Sequence, residues 1–219
     1  MKKEVKERVP EILRLLRGEF PDATIALNYK GVWQLLVAVV LSAQCTDERV
    51  NKVTPALFER FPKVKDFAAC DIEELEKLIY STGFYRAKAK NLKKAAVRVL
   101  EEFGGVVPDN MEDLLTLGGV ARKTANVIMN AGYHKSVGVV VDTHVCRISG
   151  LLGWVPMKMS KAKNAVKIEN RLMKILDKSD WGDISYLMIL HGRKTCIARK
   201  PRCSECKLNE LCPSVKNNT

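Results

Sequence analysis

Apolar side chains recur every three or four positions along much of the chain, which is the period expected of α-helices buried on one side. In Lys3–Arg17 the apolar positions are Val5, Val9, Ile12, Leu13 and Leu16. The segment Trp33–Ser42 is apolar on nearly every face, so it is predicted to be a buried central helix.

Capping residues and glycines mark where further helices begin and end. Asp71 is a predicted N-cap for the helix Asp71–Ser81, and Gly104 is predicted to end a long basic helix, Ala87–Phe103. The other predicted helices are Thr46–Phe61, Asn110–Leu117, Arg122–Ala131, Thr143–Leu152, Lys161–Leu176 and Trp181–His191. Val137–Val141 has no alternating partner segment, so it is predicted to be an extended connector and not a strand. The predicted fold class is all-α.

The charge balance favours a polyanionic partner. The chain has 219 residues, and its 37 Lys and Arg against 25 Asp and Glu give a net charge of +12. An excess of this size is typical of proteins that bind nucleic acid or an anionic membrane surface. Two basic clusters contain Arg86, Lys88, Lys90, Lys93, Lys94 and Arg98 in the first, and Arg193, Lys194, Arg199, Lys200, Arg202 and Lys207 in the second. Each cluster is either a solvated face or a set of phosphate contacts.

Hydropathy argues against insertion into a membrane. The longest uncharged stretch, Gly31–Thr46, is shorter than the about 20 apolar residues that a spanning helix needs. The segment Met1–Arg17 is charged and amphipathic, and it lacks the apolar run of a secretory signal peptide. We therefore expect a cytoplasmic protein that makes no use of a membrane.

The seven cysteines are unevenly distributed along the chain. Cys45, Cys70 and Cys146 are scattered, and they are predicted to be small buried side chains. The other four follow the pattern Cys196-x6-Cys203-x2-Cys206-x5-Cys212. Four thiolates in so short a segment could enclose a metal centre, either a structural zinc ion or an iron–sulfur cluster. Disulfides are disfavoured in a chain without a signal peptide.

A glycine pair, Gly118-Gly119, separates two of the predicted helices. A turn of this kind exposes backbone N–H groups at a helix N-terminus, where a DNA phosphate could bind. An ordinary helix–helix connection has the same sequence pattern, so the glycines alone do not decide the matter.

Two charged residues stand at predicted helix starts. Lys123 lies in the first turn after the glycine pair, where the helix dipole favours the neutral amine that a nucleophile needs. It could equally be an inert surface lysine. Asp142 opens the helix Thr143–Leu152 and is either an N-cap or a carboxylate that stabilises a nearby cation.

Several motifs follow one another in a recognisable order. They are Leu41-Ser42-Ala43-Gln44-Cys45-Thr46-Asp47, the segment Tyr80–Ala89, the Gly118-Gly119 hairpin with Lys123, Val141-Asp142-Thr143-His144, Leu190-His191-Gly192-Arg193 and the cysteine loop. Together they resemble endonuclease III, a family of helix-hairpin-helix DNA glycosylases of base excision repair. The resemblance covers nearly the whole chain.

This resemblance implies a bifunctional DNA glycosylase and abasic-site lyase. Its substrates would be oxidised or ring-saturated pyrimidines in double-stranded DNA, and it would act as a monomer. Lys123 would be the nucleophile and Asp142 its acidic partner. The ligands of a 4Fe-4S cluster would be Cys196, Cys203, Cys206 and Cys212.

The resemblance also implies how DNA is held. Gln44 would fill the space left by an extruded base, and Phe84 would wedge into the base stack. The hairpin residues at the phosphate would be Gly119, Val120 and Ala121. DNA would lie in a cleft between two helical domains: a six-helix barrel with the helix-hairpin-helix, 22–132, and an iron–sulfur cluster domain, 1–21 with 133–219, whose cluster loop is 196–212.

The hairpin departs from the family pattern Leu-Pro-Gly-Val-Gly. Gly118 stands where proline is usual, and we expect it to loosen the turn. Ala121 replaces the last glycine, a costly change if that position needs a positive φ. Phe84 replaces the commoner leucine wedge, and an aromatic ring could stack on bases.

Two alternative functions remain at this stage. One is a monofunctional glycosylase for mismatched adenine or thymine, and the other is a non-catalytic, metal-stabilised DNA-binding module. The monofunctional relatives lack a lysine at the position of Lys123, and the adenine enzymes carry an additional C-terminal domain that is not expected here. The presence of both Lys123 and Asp142 argues against the non-catalytic module.

Overall fold

The structure is a computed structural model, and it describes residues 4–215. Its α-helices are α1 (Val5–Glu19), α2 (Gly31–Ser42), α3 (Asp47–Arg60), α4 (Val64–Ala69), α5 (Ile72–Ile79), α6 (Tyr85–Phe103), α7 (Met111–Leu114), α8 (Arg122–Val127), α9 (Thr143–Leu151), α10 (Met157–Lys161), α11 (Ala165–Ile175) and α12 (Ile184–Lys194). Residues 4–215 contain no β-strand, so the prediction of an all-α fold is confirmed. Within the same range, no helix is both long and apolar enough to span a bilayer.

The described residues separate into two compact units. One consists of residues 26–135, and the other of residues 4–25 together with 136–215. Parts of the predicted cluster domain, residues 1–3 and 216–219, lie outside the described residues. They include Lys3, the predicted first residue of the N-terminal helix.

The unit 26–135 is organised around α2. Eight of its side chains are buried, which confirms the prediction of a central helix for Trp33–Ser42. The Trp33 and Phe67 rings meet edge to face with their centroids 5.3 Å apart, and Phe61 lies 5.6 Å from Phe67. Aromatic contacts of this kind add to the free energy gained from burying apolar area.

The unit formed by the chain's two ends has a separate core. The apolar stripe of α1 packs into it through Val9, Ile12, Leu13 and Leu16, as its spacing predicts. Trp154 is fully buried in the same core. At the end of α1, the Arg17 guanidinium bonds Asp180 at 2.7 Å and Asp183 at 2.8 Å, which fixes α1 to the segment before α12.

Local capping interactions set several helix ends where the sequence predicts them. The Asp71 carboxylate accepts a hydrogen bond from the Glu73 N–H at 3.0 Å and caps α5. At the C-terminal end of α6, Gly104 adopts a φ of +59°, which is the left-handed conformation that stops a helix. The segment Val137–Val141 forms neither a helix nor a strand, as predicted for a connector, and the Ser185 hydroxyl donates to the Val140 carbonyl at 2.6 Å.

Three segments differ from their predictions. Helix α4 was not predicted, and α7 is shorter than the predicted Asn110–Leu117. The predicted helix Lys161–Leu176 is wrong in its first turn, because Lys163 has a φ of +52° and separates α10 from α11. Asn164 then caps α11 by accepting a hydrogen bond from the Lys167 N–H at 3.1 Å.

Candidate functional site

The hairpin between α7 and α8 is a tight turn. Gly119 has a φ of +78°, and the Val120 N–H donates to the Leu117 carbonyl at 3.1 Å. Ala121 has a φ of −93°, which any residue adopts, so its Cβ carries no backbone strain. The cost that a positive φ would have imposed on Ala121 is therefore absent.

Gly118 has a packing role that the sequence did not indicate. A Cβ built at this position would lie 2.5 Å from the backbone oxygen of Asn91 on α6, well inside van der Waals contact. The glycine therefore lets the hairpin approach the α6 backbone more closely than another residue would. The expectation of a merely looser turn is incomplete, because Gly118 also permits this contact.

We predict that Gly118→Ala lowers the free energy of unfolding by about 1–3 kcal/mol, the usual cost of overpacking. The change is measured as a shift of the midpoint in chemical or thermal denaturation. Gly18→Ala is the matched control, because a Cβ there meets no atom within 4 Å and the substitution lies inside α1. A Gly118→Ala protein as stable as the Gly18→Ala protein would show that the hairpin moves away from Asn91 at no cost.

Lys123 lies in the first turn of α8, directly after the hairpin, and its side chain is exposed. The helix continues through Ile128–Gly132 as a wider, π-helical turn. A π-helical segment is rare and is frequently found near functional sites. The amine is thus accessible and held on a helix whose opposite face, at Ala125, is buried.

Asp142 belongs to the other unit and caps α9. Its carboxylate accepts a hydrogen bond from the Val145 N–H at 2.8 Å. The interpretation of Asp142 as an N-cap is therefore confirmed, whereas its catalytic role stays a prediction. Capping fixes the position of the carboxylate without neutralising it, so the charge remains available to a nearby cation.

The two residues predicted to enter the DNA both have unusual backbone conformations. Gln44 has a φ of +54° and Phe84 a φ of +49°, and both side chains are exposed. Phe84 is 66% exposed, which is unusual for a large apolar side chain. We call residues 43–46 the plug loop and residues 80–84 the wedge loop. Non-glycine residues in the left-handed region are uncommon and cluster at functional sites.

The first basic cluster does not act as one solvated face. Lys88 is buried with 5% exposure, and its ammonium donates hydrogen bonds to the carbonyls of Leu41 at 2.7 Å and Thr82 at 2.8 Å. Burial lowers the pKa of Lys88, partly offset by the neighbouring Cys45 thiol. Lys88 is therefore unavailable to a DNA phosphate, contrary to the expectation that grouped it with the other basic residues.

The other lysines of the first basic cluster also differ: one is bonded to a backbone carbonyl, and two are exposed. The Lys93 ammonium donates to the Cys70 carbonyl at 2.6 Å, whereas Lys90 and Lys94 on α6 are exposed. The basic residues of the second cluster all have exposed side chains: Arg193, Lys194, Arg199, Lys200, Arg202 and Lys207. Lys194 pairs with the Glu19 carboxylate at 3.1 Å. Exposure therefore makes Lys90, Lys94, Arg199, Lys200, Arg202 and Lys207 the candidates for phosphate contacts.

The four clustered cysteines line one pocket of the unit formed by the chain's ends. Its walls include Cys196, Cys203, Cys206 and Cys212, and the rest of the lining is mostly apolar. The loop that carries them is folded by backbone hydrogen bonds, such as those from the Cys212 N–H to the Leu208 carbonyl at 2.9 Å and from the Arg202 N–H to the Thr195 carbonyl at 2.9 Å. The four cysteine residues thus line a common space.

The electrostatics of this pocket fit an iron–sulfur cluster. Burial raises the pKa of the Cys206 and Cys212 thiols, and the neighbouring cysteines raise it further. Four thiolates in one apolar pocket therefore require cations to balance their charge, which several iron ions would supply. No group of His, Cys, Asp or Glu in residues 4–215 is placed to hold a single metal ion. The structural support for a cluster is therefore the pocket that the four cysteines share.

Two side chains outside the cysteine motif contact the sulfurs. The Arg147 guanidinium donates to the Cys196 sulfur at 3.3 Å, and a ring nitrogen of the buried His191 lies 3.9 Å from the Cys206 sulfur. Hydrogen bonds to ligating sulfurs stabilise the thiolate form and tune a bound cluster. Sequence reasoning missed the Arg147 contact, because Arg147 lies far from the cysteines along the chain.

Sequence reasoning also missed the burial of Lys88, although the spacing of apolar residues in α6 indicates it. The buried residues of α6 include Leu92, Ala95 and Val99, and Lys88 falls on the same stripe, four positions before Leu92. A lysine on an apolar stripe is predicted to be buried unless the helix is exposed at that point.

Comparison with protein families places most of the chain in one of them. Residues 37–178 match the family described as HhH-GPD superfamily base excision DNA repair protein. Residues 196–212 match the iron–sulfur binding domain of endonuclease III. The second match coincides with the cysteine loop that lines the pocket.

Individual relatives agree with the family match. Endonuclease III of Synechocystis sp. is 53% identical over 211 residues, covering 96% of this chain and 94% of the relative. Endonuclease III of Escherichia coli is 38% identical over 202 residues, covering 92% and 93%. A solved structure of a trapped endonuclease III–DNA covalent intermediate has a TM-score of 0.89 and 39% identity, covering 97% of this chain and 98% of that one. A thermostable thymine-DNA glycosylase has a TM-score of 0.84 at 21% identity, a likeness of fold alone.

Proposed function

The chain belongs to the endonuclease III family of base excision repair proteins, and on that premise we propose that Lys123 is its nucleophile and Asp142 its acidic partner. The chain is a bifunctional DNA glycosylase and abasic-site lyase that carries a 4Fe-4S cluster. The observation that carries the proposal is an accessible lysine in the first turn after the hairpin, within the family-matched segment. Borohydride trapping of the enzyme–DNA adduct tests it.

The first step joins Lys123 to the sugar. The neutral amine attacks C1′ of the deoxyribose as the bond from C1′ to the base breaks, and the base leaves with the electron pair and takes up a proton. The nitrogen then loses one proton, and the C1′–O4′ bond breaks as O4′ takes up a proton. The sugar ring is thereby opened, and a protonated imine joins Lys123 to C1′. A lysine that forms an imine links base release to strand scission in one enzyme.

The second step cuts the strand by β-elimination. The imine makes the C2′ proton acidic, because the electrons released from that bond are accepted toward the iminium nitrogen. Loss of the proton forms a C2′–C3′ double bond, and the C3′–oxygen bond breaks with phosphate as the leaving group. The strand is then broken 3′ to the lesion, and water hydrolyses the imine to free the lysine.

Asp142 would have two roles, one toward the charge on the sugar and one toward the protons of the Lys123 amine. A fixed carboxylate stabilises the positive charge that develops on the sugar as the base departs, and it can exchange a proton with the amine. The N-cap hydrogen bond from Val145 supports this role, because a preorganised carboxylate needs no rearrangement during the reaction. When bound, the cluster would cross-link the loop 196–212 through bonds from iron to the thiolates of Cys196, Cys203, Cys206 and Cys212.

We also propose how the damaged nucleotide is exposed. Extruding a base costs a few kcal/mol, least for damaged or poorly paired bases. Gln44 would fill the vacated space and Phe84 would enter the stack, and the exposure of both side chains supports these roles. The hairpin residues Gly119, Val120 and Ala121 would contact a phosphate of the DNA. The monomeric state and cytoplasmic location stay predictions from the sequence.

The proposed substrates are oxidised or ring-saturated pyrimidines in double-stranded DNA. Family membership supports this class, and an accessible Lys123 supports lyase chemistry over a monofunctional mismatch glycosylase. Duplexes that differ only in one base test the substrate class, with thymine glycol compared against a G·T mismatch. Preferential release from the mismatch, without strand scission, would favour the monofunctional alternative.

Metal content is predicted to follow the four cysteines of the pocket. We expect about four iron atoms per chain in the purified protein and a brown colour, as a [4Fe–4S] cluster requires. Cys203→Ala should reduce both iron and colour, because one thiolate ligand is lost. Cys45→Ala is the control and should retain them, since Cys45 lies in the other unit. One zinc and no iron in active protein would contradict the cluster.

Binding to undamaged duplex is predicted to depend strongly on salt. If about five phosphates are neutralised, the slope of log K against log salt is about −4.5. Changing the exposed Lys90 and Lys94 to Gln should reduce its magnitude by about 2. The control Lys52→Gln should leave the slope unchanged, because Lys52 on α3 pairs with Glu48 at 2.7 Å. A double variant with the same slope as the wild type would show that this part of α6 is a solvated face.

A further inference from the structure

One buried side chain links the end of α2, directly before the plug loop, to the wedge loop. The Lys88 ammonium donates hydrogen bonds to the Leu41 carbonyl, three residues before Gln44, and to the Thr82 carbonyl, two residues before Phe84. All five residues belong to the same compact unit. One side chain therefore joins the helix end that leads into the plug loop to the wedge loop.

The bond to Leu41 completes the end of α2. The last carbonyls of a helix have no partner within it, and a cation is favoured there by the helix dipole. The neighbouring carbonyls are occupied locally: that of Val39 accepts from the Ser42 hydroxyl at 2.9 Å, and that of Val40 from the Ala43 N–H at 3.4 Å. Lys88 supplies the donor for Leu41, immediately before the chain turns into the plug loop.

The bonds at the other loop hold it from two sides. The Lys88 ammonium bonds the Thr82 carbonyl, and the Lys88 backbone N–H donates to the Phe84 carbonyl at 3.0 Å. The Thr82 hydroxyl in turn donates to the Ile79 carbonyl at 2.8 Å. Residue 88 thus fixes the backbone immediately before Phe84 and at Phe84 itself.

The backbone of both loops needs such support. Gln44 and Phe84 have positive φ values. Residues other than glycine keep this left-handed backbone conformation only where the surrounding structure holds them. A buried ammonium requires acceptors, so Lys88 and the two carbonyls stabilise one another. We propose that Lys88 is a positioning residue that keeps the plug loop and the wedge loop together in the conformation that enters DNA. This inference rests on the proposed roles of Gln44 and Phe84.

Comparison of two substrates tests the proposal. A duplex requires the plug and the wedge, whereas a single-stranded abasic oligonucleotide has no opposing strand and needs neither. Lys88→Met is expected to reduce single-turnover base release from duplex DNA by about 10²-fold, the usual cost of misplacing a group by about 1 Å. Its lyase activity on the single strand is expected to stay at the wild-type level.

A double-mutant cycle separates positioning from general folding. In a Gln44→Ala, Phe84→Ala background, Lys88→Met should cause no additional loss on the duplex, because residues that act through one another are not additive. Tyr133→Phe is the matched control: it removes another hydrogen bond from a side chain to a backbone carbonyl, that of Val107 in the same unit. Its ratio of duplex to single-strand activity should equal that of the wild type.

The outcomes distinguish a positioning role for Lys88 from a general role in folding. Equal losses on duplex and single strand, or a full loss that persists in the double-alanine background, would overturn the positioning role. If Lys88→Met does not fold, Lys88→Gln replaces the ammonium by an uncharged amide with two N–H donors. Reduced activity by the same factor on duplex and single strand in that folded variant would also overturn the positioning role. Failure of the wild type to form any adduct with an abasic site would instead overturn the proposed function, because that reaction needs Lys123 and not Lys88.

Discussion

Lys123→Gln is expected to abolish the borohydride-trapped adduct on a duplex with one abasic site, together with all strand scission by β-elimination. Borohydride reduces an imine, and glutamine has no amine with which to form one. The fold should persist, because Lys123 is exposed and surface substitutions usually change stability by no more than about 0.5 kcal/mol. Gel electrophoresis of the trapped complex measures the effect directly.

The matched control for this experiment is another exposed lysine of the same unit. Lys77 is exposed on α5, so Lys77→Gln removes the same charge and should leave trapping at the wild-type level. Undiminished trapping in Lys123→Gln would mean that a different amine forms the imine. Binding of that variant to undamaged duplex should be retained, which separates lost chemistry from lost affinity.

Asp142→Asn is expected to slow base release by about 10²–10³-fold, the usual cost of removing one preorganised electrostatic group. The fold should survive, because Asn ranks with Asp as an N-cap and can still accept the hydrogen bond from Val145. Trapping on a preformed abasic site should fall less, because no base has to be expelled there. Single-turnover rates on damaged duplex and on abasic duplex measure the difference.

Asp71→Asn is the control for the capping contribution alone. Asp71 caps α5 as Asp142 caps α9, so the same substitution there perturbs a cap without touching the proposed chemistry. Its rates should match the wild type. If Asp142→Asn unfolds the protein or leaves base release unchanged, the carboxylate is a structural cap and its catalytic assignment is wrong.

The sequence predicted the features of the fold that depend on nearby residues. The apolar stripe of α1, the fully apolar α2 and the caps at Asp71 and Gly104 all result from interactions within a few positions along the chain. The order of its motifs also identified the family correctly, and with it the reaction class and the cofactor.

Features that depend on tertiary packing were missed. The short helix α4 has too few turns to show a period, and its Phe67 is understood only from contact with Trp33 and Phe61. Lys88 was grouped by charge with its neighbours along the chain, although its partners are two carbonyls supplied by other segments.

The hairpin illustrates the same limit for a single residue. The family pattern used in the sequence analysis has a proline at the position of Gly118, and its loss predicts a looser turn. The structure adds the backbone of Asn91, which leaves no room for a Cβ at this position. A residue's role in a turn can thus depend on an element nearly 30 positions away along the chain.

Mass-spectrometric mapping of the adduct tests the central claim most directly. Wild-type protein is trapped with borohydride on an abasic duplex, digested with nuclease and protease, and the modified residue is located in the peptides. The proposed mechanism predicts that the added sugar fragment is on Nζ of Lys123. Attachment at any other residue, or absence of a covalent adduct in active protein, would contradict it.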